Sequence, residues 1–410
     1  MKKGLLRGRD FVILGLENWD DKVGSKNASN IAREIAKDNR VLFVNLPLEV
    51  SNIIRKPFDP VNTKRLNVFR GKEQDIQQVD TNIWKFYPKT LSQSVNWIKN
   101  GEIFDKFNRK NSKLLAAKIN EALEALGFDN VILLNDNELF RCFYLKEYLN
   151  PALSVFYIRD FITGVDYWNR HGSRLEPELL AKSDVVVANS TYYADYAANY
   201  NNNSYFVGQG CDLSLFKPDE VKELPEPLKN MSQPIIGYVG ALTTLRLDIN
   251  ILEHIAEQRP DWNLVLVGTE DEDFRKSRLH DMKNVHFAGQ QNIVDLPNWI
   301  AGFDVCLNPQ QLNKITIGNY PLKLDEYLAM GKPVIATKTR AMDFFSQHVY
   351  LADSKEAYVG LIEKALLEDD PEKRMNRRKF AASHTWDQNV KNIYQAILKT
   401  ESNKMAVESL

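Results

Sequence analysis

Lys323 and Glu326 stand three residues apart in PLKLDEYLAMGKPVIAT, Pro321 to Thr337, just ahead of a Gly-Lys-Pro stop. At that spacing they share one helical turn. A lysine can neutralise phosphate oxygens, and a carboxylate can accept two hydroxyl protons, as from a ribose. Pro321 suits the first turn of a helix, because its missing N–H would be unsatisfied there anyway. Leu324 and Leu328 then face a core, Gly331 ends the helix, Pro333 bars its resumption, and VIAT opens a buried strand. Ahead of the helix, KITIGNY (314–320) places Gly318 and Asn319 in a tight loop. Backbone N–H groups and the positive end of the helix dipole would face an anion there. The combination suits a sugar nucleotide. The plainer reading is an exposed ion pair beside an ordinary helix stop, and residue types alone leave both open.

Other candidates sit in the first half of the chain. YIRDF puts Arg159 and Asp160 directly after an apolar run, where Asp160 could orient or deprotonate a hydroxyl or simply cap a helix. Asp136, in NDNE (135–138), has the same two readings. His171, in WNRHGSRLE, reads as a solvated loop histidine. In ENWDDKVGSKNASNIAREIA, residues Gly24, Ser25 and Asn27 form either a phosphate- or acceptor-contacting loop or a well-capped helix start. No carboxylate–histidine cluster has metal-ligand spacing, and no strand-flanked DxD occurs, so no metal is expected.

Strand–helix alternation must position these groups. FVILGL (11–16), RVLFVNLP (40–47), NVILLND (130–136), LSVFYIRD (153–160) and DVVVANS (184–190) are short apolar runs. PIIGYVG (234–240), NLVLVG (263–268), NVHFAG (284–289), DVCLNPQ (304–310) and KPVIATK (332–338) form a second series. Continuous runs separated by helical patterns predict parallel sheets buried on both faces. Four prolines and many charges in KPDEVKELPEPLKNMSQP (217–234) read as a linker. The expected layout is a Rossmann-like domain over 1–216, the linker 217–234, a second such domain over 235–385, and a helix over 386–410. That helix has Trp386, Val390, Ile393, Tyr394 and Ile397 on one face and is expected to pack back on the first domain.

Composition excludes several classes. The 410 residues carry a net charge of −1, 44% hydrophobic and 26% charged residues, which is globular and offers nucleic acid no attractive field. Cys142, Cys211 and Cys306 are far apart and suit a reducing cytoplasm. The apolar run at 11–16 is too short for a signal peptide, and no segment approaches a membrane span. NWIKNGEIFDKFNRKNSKLLAAK (96–118) mixes Trp97, Ile98, Ile103, Phe104 and Phe107 with basic residues. It reads as a buried helix with a charged face, or as a peripheral membrane contact.

PLKLDEYLAMGKPVIAT resembles the donor-site signature of GT-B glycosyltransferases of the GT4-like group. IIGYVGALTTLRLDINILEHIAEQRPDWNLVLVG, NVHFAGQQNIVDLPNWIAGFDVCLNPQ and VVVANSTYYADYA followed by VGQGCDLSLFKP are similar to that group in the same order, over 184–385. The resemblance implies an α/β GT-B fold, two Rossmann-like domains with parallel sheets facing a central cleft. It implies Glu326 on the donor ribose; Lys323, Gly318, Asn319 and Tyr320 on the diphosphate; Gly240 and Ala241 at the close phosphate approach; Arg246 as a phosphate clamp; and Asn292 and Ile293 around the base. Two positions depart from the pattern: glycine stands at 318 where relatives often have a glutamate, and Ala241 follows Gly240 where Gly-Arg is usual.

The expected function is transfer of a sugar from a nucleotide-diphosphate sugar to a hydroxyl of a glycan or lipid-linked acceptor. The resemblance implies retention of configuration and a setting in cell-surface polysaccharide or glycolipid assembly. No cofactor is expected beyond the nucleotide sugar. Two alternatives stand beside it, a non-catalytic nucleotide-binding scaffold and a sugar-nucleotide epimerase.

Overall fold

The ten apolar runs all become strands, and six shorter ones join them. The computed structural model describes residues 5–21, 26–55 and 59–408. Gly24 and Ser25 lie outside the described residues. In chain order the first ten strands are β1 (Asp10–Gly15), β2 (Arg40–Val44), β3 (Leu48–Glu49), β4 (Ile76–Asp80), β5 (Ile83–Phe86), β6 (Leu91–Ser92), β7 (Ile132–Asp136), β8 (Leu153–Ile158), β9 (Val185–Ala188) and β10 (Ser204–Phe206). Eight of them form a sheet ordered β10-β9-β8-β7-β1-β2-β5-β4, parallel except for β4. β3 and β6 pair separately. Then come β11 (Ile235–Val239), β12 (Asn263–Val267), β13 (Val285–Gly289), β14 (Val305–Asn308), β15 (Val334–Thr337) and β16 (Tyr350–Ala352). These make an all-parallel sheet ordered β13-β12-β11-β14-β15-β16.

Every residue of β1, β7, β8 and β11 is buried, as expected where helices cover both faces. Period-2 alternation sorts side chains between the two faces. In β11, Ile235 and Val239 join one apolar cluster with Tyr327 and Leu328, while Ile236 and Tyr238 join the other with Leu252 and Ile255.

The chain divides into two compact units. Unit 1 holds residues 1–189, 193–208 and 389–410; unit 2 holds 190–192 and 209–388. Residues 217–234, expected as a linker, lie inside unit 2. Phe216 and Leu228 are buried in its core, and Val221 and Met231 pack against it. The prolines there shape short turns on a packed surface, which composition alone cannot distinguish from a free tether.

The last helix, Trp386–Glu408, crosses the unit boundary at residue 389. Within unit 1, Asn389 donates to Gly208 O at 2.7 Å, Asn39 to the Tyr394 hydroxyl at 2.8 Å, and Lys404 to Asp184 at 2.6 Å. Val390, Ile393, Tyr394 and Ile397 are buried.

The stretch 96–118 enters a long helix, Gly101–Leu126, which buries Phe104, Leu115, Ala116 and Ile119. Trp97, just ahead of it, is 72% exposed. Among the described residues no helix is long and apolar enough to cross a membrane.

Candidate functional site

In each sheet the chain turns back at one place, from β1 to β7 in unit 1 and from β11 to β14 in unit 2. Ligands of open α/β sheets gather at the carboxyl ends of the strands beside such a reversal.

In unit 2 that edge is made by glycines. β11 runs into Gly240 and β12 into Gly268, both with φ between +20° and +160° (+139° and +154°). A Cβ on Gly268 would lie 1.9 Å from Gly240 O, and one on Gly240 would lie 2.9 Å from Lys323 Nζ. The two backbones therefore approach as only glycine allows. Above them Lys323 donates to the Tyr238 hydroxyl, its Nζ lying 4.1 Å from the ring centroid. A neutral phenol holds the ammonium without quenching its charge.

The helix Lys323–Ala329 follows Pro321 by a tight turn, Leu324 N–H donating to Pro321 O at 3.0 Å. It therefore begins two residues after the proline expected in its first turn. It ends at Gly331 (φ +75°), where Gly331 and Lys332 N–H return to Leu328 and Tyr327 carbonyls, the usual glycine stop.

Glu326 is half-buried, and burial pushes its carboxyl up to about 7, with Asp325 adding to the rise and Lys323 opposing it. Asp325, its neighbour, points inward and is fully buried. It accepts from the Tyr320 hydroxyl at 2.9 Å and lies 2.7 Å from His384 Nδ1. Burial raises its carboxyl, against the opposing effects of His384 and Tyr320. This pins the helix Lys323–Ala329 to the segment just before the last helix. Asp325 and His384 were missed from sequence. The helical period does put Asp325 on the Leu324–Leu328 side, but nothing local points to His384.

The other expected donor residues divide. Gly318 is buried, its carbonyl accepting from the Ser190 hydroxyl at 2.7 Å. Asn319 N–H closes a turn on Thr316 O. Tyr320, expected on the diphosphate, turns its side chain into the core, because Asp325 offers a buried acceptor there. Ala241 and Arg246 are exposed, and the guanidinium has no ion-pair partner among the described residues. The Arg246 carbonyl accepts from Gln311 N–H, joining the 241–247 loop to the 309–320 loop. Asn292 and Ile293 follow β13, with Ile293 63% exposed and Val294 beside it.

Unit 1 furnishes its reversal with acids. Asp136, at the end of β7, is fully buried; it accepts from Arg159 Nε at 2.9 Å and Asn27 Nδ2 at 3.2 Å. Arg159 also holds Asp160, at 2.7 Å, and Asp160 is partly exposed. Burial opposes the Arg159 charge, but Asp136 and Asp160 outweigh it and keep the guanidinium firmly protonated. Glu17, also missed from sequence, accepts from Ser29 N–H at 2.8 Å at the start of the helix Asn27–Ile35. Burial raises its carboxyl and Asp136 raises it further. Glu17 Oε2 and Asp136 Oδ2 are buried without a hydrogen-bond partner among the described residues. Asn27 thus serves a buried carboxylate.

His171 is neither in a loop nor solvated. It lies in the helix Asp166–Lys182, stacked on Phe104 at 3.8 Å, its Nε2 2.7 Å from Ile98 O. Burial lowers its affinity for a proton. Among the described residues no group of three or more His, Cys, Asp or Glu side chains is placed to hold a metal ion.

Comparison with solved structures shows the architecture. HepE of Anabaena, crystallised with UDP, superposes with a TM-score of 0.61 at 14% identity, covering 98% of this chain and 100% of that one. Sucrose-phosphate synthase of Thermosynechococcus elongatus gives 0.62 at 16% identity, covering 96% and 100%. Residues 233–367 match the family model described as "Glycosyl transferases group 1". The chain thus has the GT-B fold, and its segment 233–367 is similar to group 1 glycosyl transferases. The matched segment spans β11 to β16 and so contains Gly240, Lys323 and Glu326. Among curated proteins, the "Putative teichuronic acid biosynthesis glycosyltransferase TuaH" of Bacillus subtilis is 26% identical over 189 residues, 44% of this chain. The chain spans 47% of that relative's length.

Proposed function

We propose that this GT-B chain transfers a sugar from a nucleotide-diphosphate sugar to an acceptor hydroxyl. The observation that carries the proposal is Lys323 held by a neutral hydroxyl directly over Gly240, with Glu326 one turn on. A diphosphate resting on the glycine edge would draw the ammonium from Tyr238. Glu326 would take the ribose hydroxyls, and Ile293 with Val294 would cover the base.

As the donor bond breaks, negative charge grows on the leaving diphosphate. Lys323, with Arg246 from the neighbouring loop, would stabilise it without calling on a metal ion. In unit 1, Asp160 is the candidate to orient the acceptor hydroxyl, steadied by Arg159. A hexosyl donor, retention of configuration and a role in cell-surface polysaccharide assembly complete the proposal. The likeness to the teichuronic acid protein supports the last of these.

Calorimetric titration with UDP, GDP and dTDP tests the donor site, with Glu326→Ala as the paired variant. One nucleotide should bind at micromolar Kd, and the variant should lose about tenfold or more. If none binds, or the variant binds like the parent, the fold is serving as a scaffold without turnover.

A further inference from the structure

Unit 1 contains a polar slot away from the Asp136–Arg159 cluster. It is framed by β3, β6, the loop after β6, the helix Gly101–Leu126 and the segment after β7. Six of its lining residues matter here: Glu49, Ser92, Asn96, Asn108, Arg141 and Tyr167.

Asn96 is only 9% exposed, and its Oδ1 is buried without a hydrogen-bond partner. Its Nδ2 is committed to Tyr167 O. Asn108 is fixed likewise, Nδ2 donating to Phe140 O at 2.8 Å, and no donor reaches its Oδ1 among the described residues. Both side chains line the slot, and each keeps an amide oxygen that no donor among the described residues fills. An unpaired buried carbonyl is destabilising unless a ligand or water supplies a donor. Arg141 is already matched by Glu49 and Glu138, so it brings no uncompensated positive charge to the slot. The slot has room for little more than a water-sized group. Of its lining residues Tyr167 is 54% exposed, and Trp97, next to Asn96 in the chain and donating from Nε1 to the O of the lining residue Ser94 at 2.7 Å, presents a bare indole.

Amide acceptors open to hydroxyl donors, no uncompensated cation, and exposed rings nearby fit one ligand chemistry. We infer that this is a subsite for a neutral saccharide of the acceptor. The sugar ring stacks on Trp97 and Tyr167, and a hydroxyl or hydroxymethyl arm enters the slot to reach Asn96 and Asn108. An anionic ligand would find Arg141 spent, and an aliphatic one would leave the amide oxygens unpaired. The inference rests on the transferase reading and adds to it the acceptor's chemical class.

The test uses the full chain and a panel of methyl α- and β-glycosides of glucose, galactose, mannose and N-acetylglucosamine. Binding is read by indole fluorescence and by saturation-transfer NMR. At least one glycoside should bind with a Kd on the order of millimolar. Trp97→Ala should weaken it at least about fivefold, and Trp97→Phe should restore part of the loss, in line with the usual worth of a ring contact. Trp97 is exposed, so these variants should stay folded, and UDP, GDP and dTDP titrations on the same samples report the donor site separately. Nucleotide binding lost with glycoside binding kept would sink the donor reading alone. No glycoside binding, or binding that Trp97→Ala leaves unchanged, overturns the saccharide subsite whatever the nucleotides do.

Discussion

The two strand reversals share one architecture and are furnished oppositely. In unit 1 the edge is acidic, with Asp136, Glu17 and Asp160 gathered around Arg159. In unit 2 it is glycine backbone with Lys323 above it. The helix start beside β1 already holds a carboxylate, since Glu17 accepts from Ser29 N–H. A diphosphate has no place there. The edge of unit 2 offers a cation whose only hydrogen-bond partner among the described residues is a phenol. Topology thus fixes where a ligand can bind, and the residues at the strand ends decide which charge it carries.

Removing one cation from each edge should break the two units differently. Arg159→Ala leaves Asp136 buried without its partner and should cost about 3–5 kcal/mol of stability. Denaturant unfolding reads this, and an unchanged midpoint would mean the acidic cluster is not held by charge. Lys323→Ala should leave the unfolding midpoint near that of the parent while kcat for sugar transfer falls about 10²–10³-fold. A destabilised Lys323 variant with normal turnover would reverse the contrast.

Gly268→Ala comes next in size. Its Cβ would collide with Gly240 O, and its φ is hostile to any side chain. A loss of about 1–3 kcal/mol, with weaker nucleotide binding, is expected from melting and titration together. Gly15→Ala, at the end of β1, meets only the sides of Asp136 and Ala28 at 3.2–3.3 Å and should cost less.

The smallest effect is one of pH. Glu326 and Glu17 both hold their protons more tightly when folded than the usual carboxylate near 4.5. Their ionisation therefore subtracts stability as pH rises above that value, and for Glu326 the loss is complete above about 7. Glu326→Gln and Glu17→Gln escape this loss, so the variant-minus-parent melting difference should grow from about pH 5 to about pH 8. A flat difference would show that the carboxylates are solvated. Nucleotide binding by the parent should strengthen over the same window if Glu326 takes the ribose as a carboxylate.

Much of the frame was legible because it is written in local pattern. Ten apolar runs gave ten strands, since a doubly covered parallel strand needs an unbroken apolar stretch. The strands not foreseen carry weaker signals: β4 reads IQQVD, and β3 and β6 are two residues each. Lys323 and Glu326 were singled out because their spacing is short-range, and Gly240 through the resemblance of the segment that holds it. Glu17, Asp325 and His384 were not, because their roles come from partners 12, 59 or more residues away. His171 was misread for the same reason: Phe104 and the Ile98 carbonyl bury it, and neither is near in sequence. The proline-rich stretch 217–234 misled in the opposite sense, since a few buried residues such as Leu228 suffice to anchor it.

The last helix adds an ordering in time. Unit 2 needs only residues 190–192 and 209–388, whereas unit 1 lacks Val390, Ile393, Tyr394 and Ile397 until the end of the chain is made. On the ribosome, where units fold as their residues emerge, the unit begun first would be completed last. Its finished sheet would wait, with the surface meant for that helix uncovered, while the later unit closes.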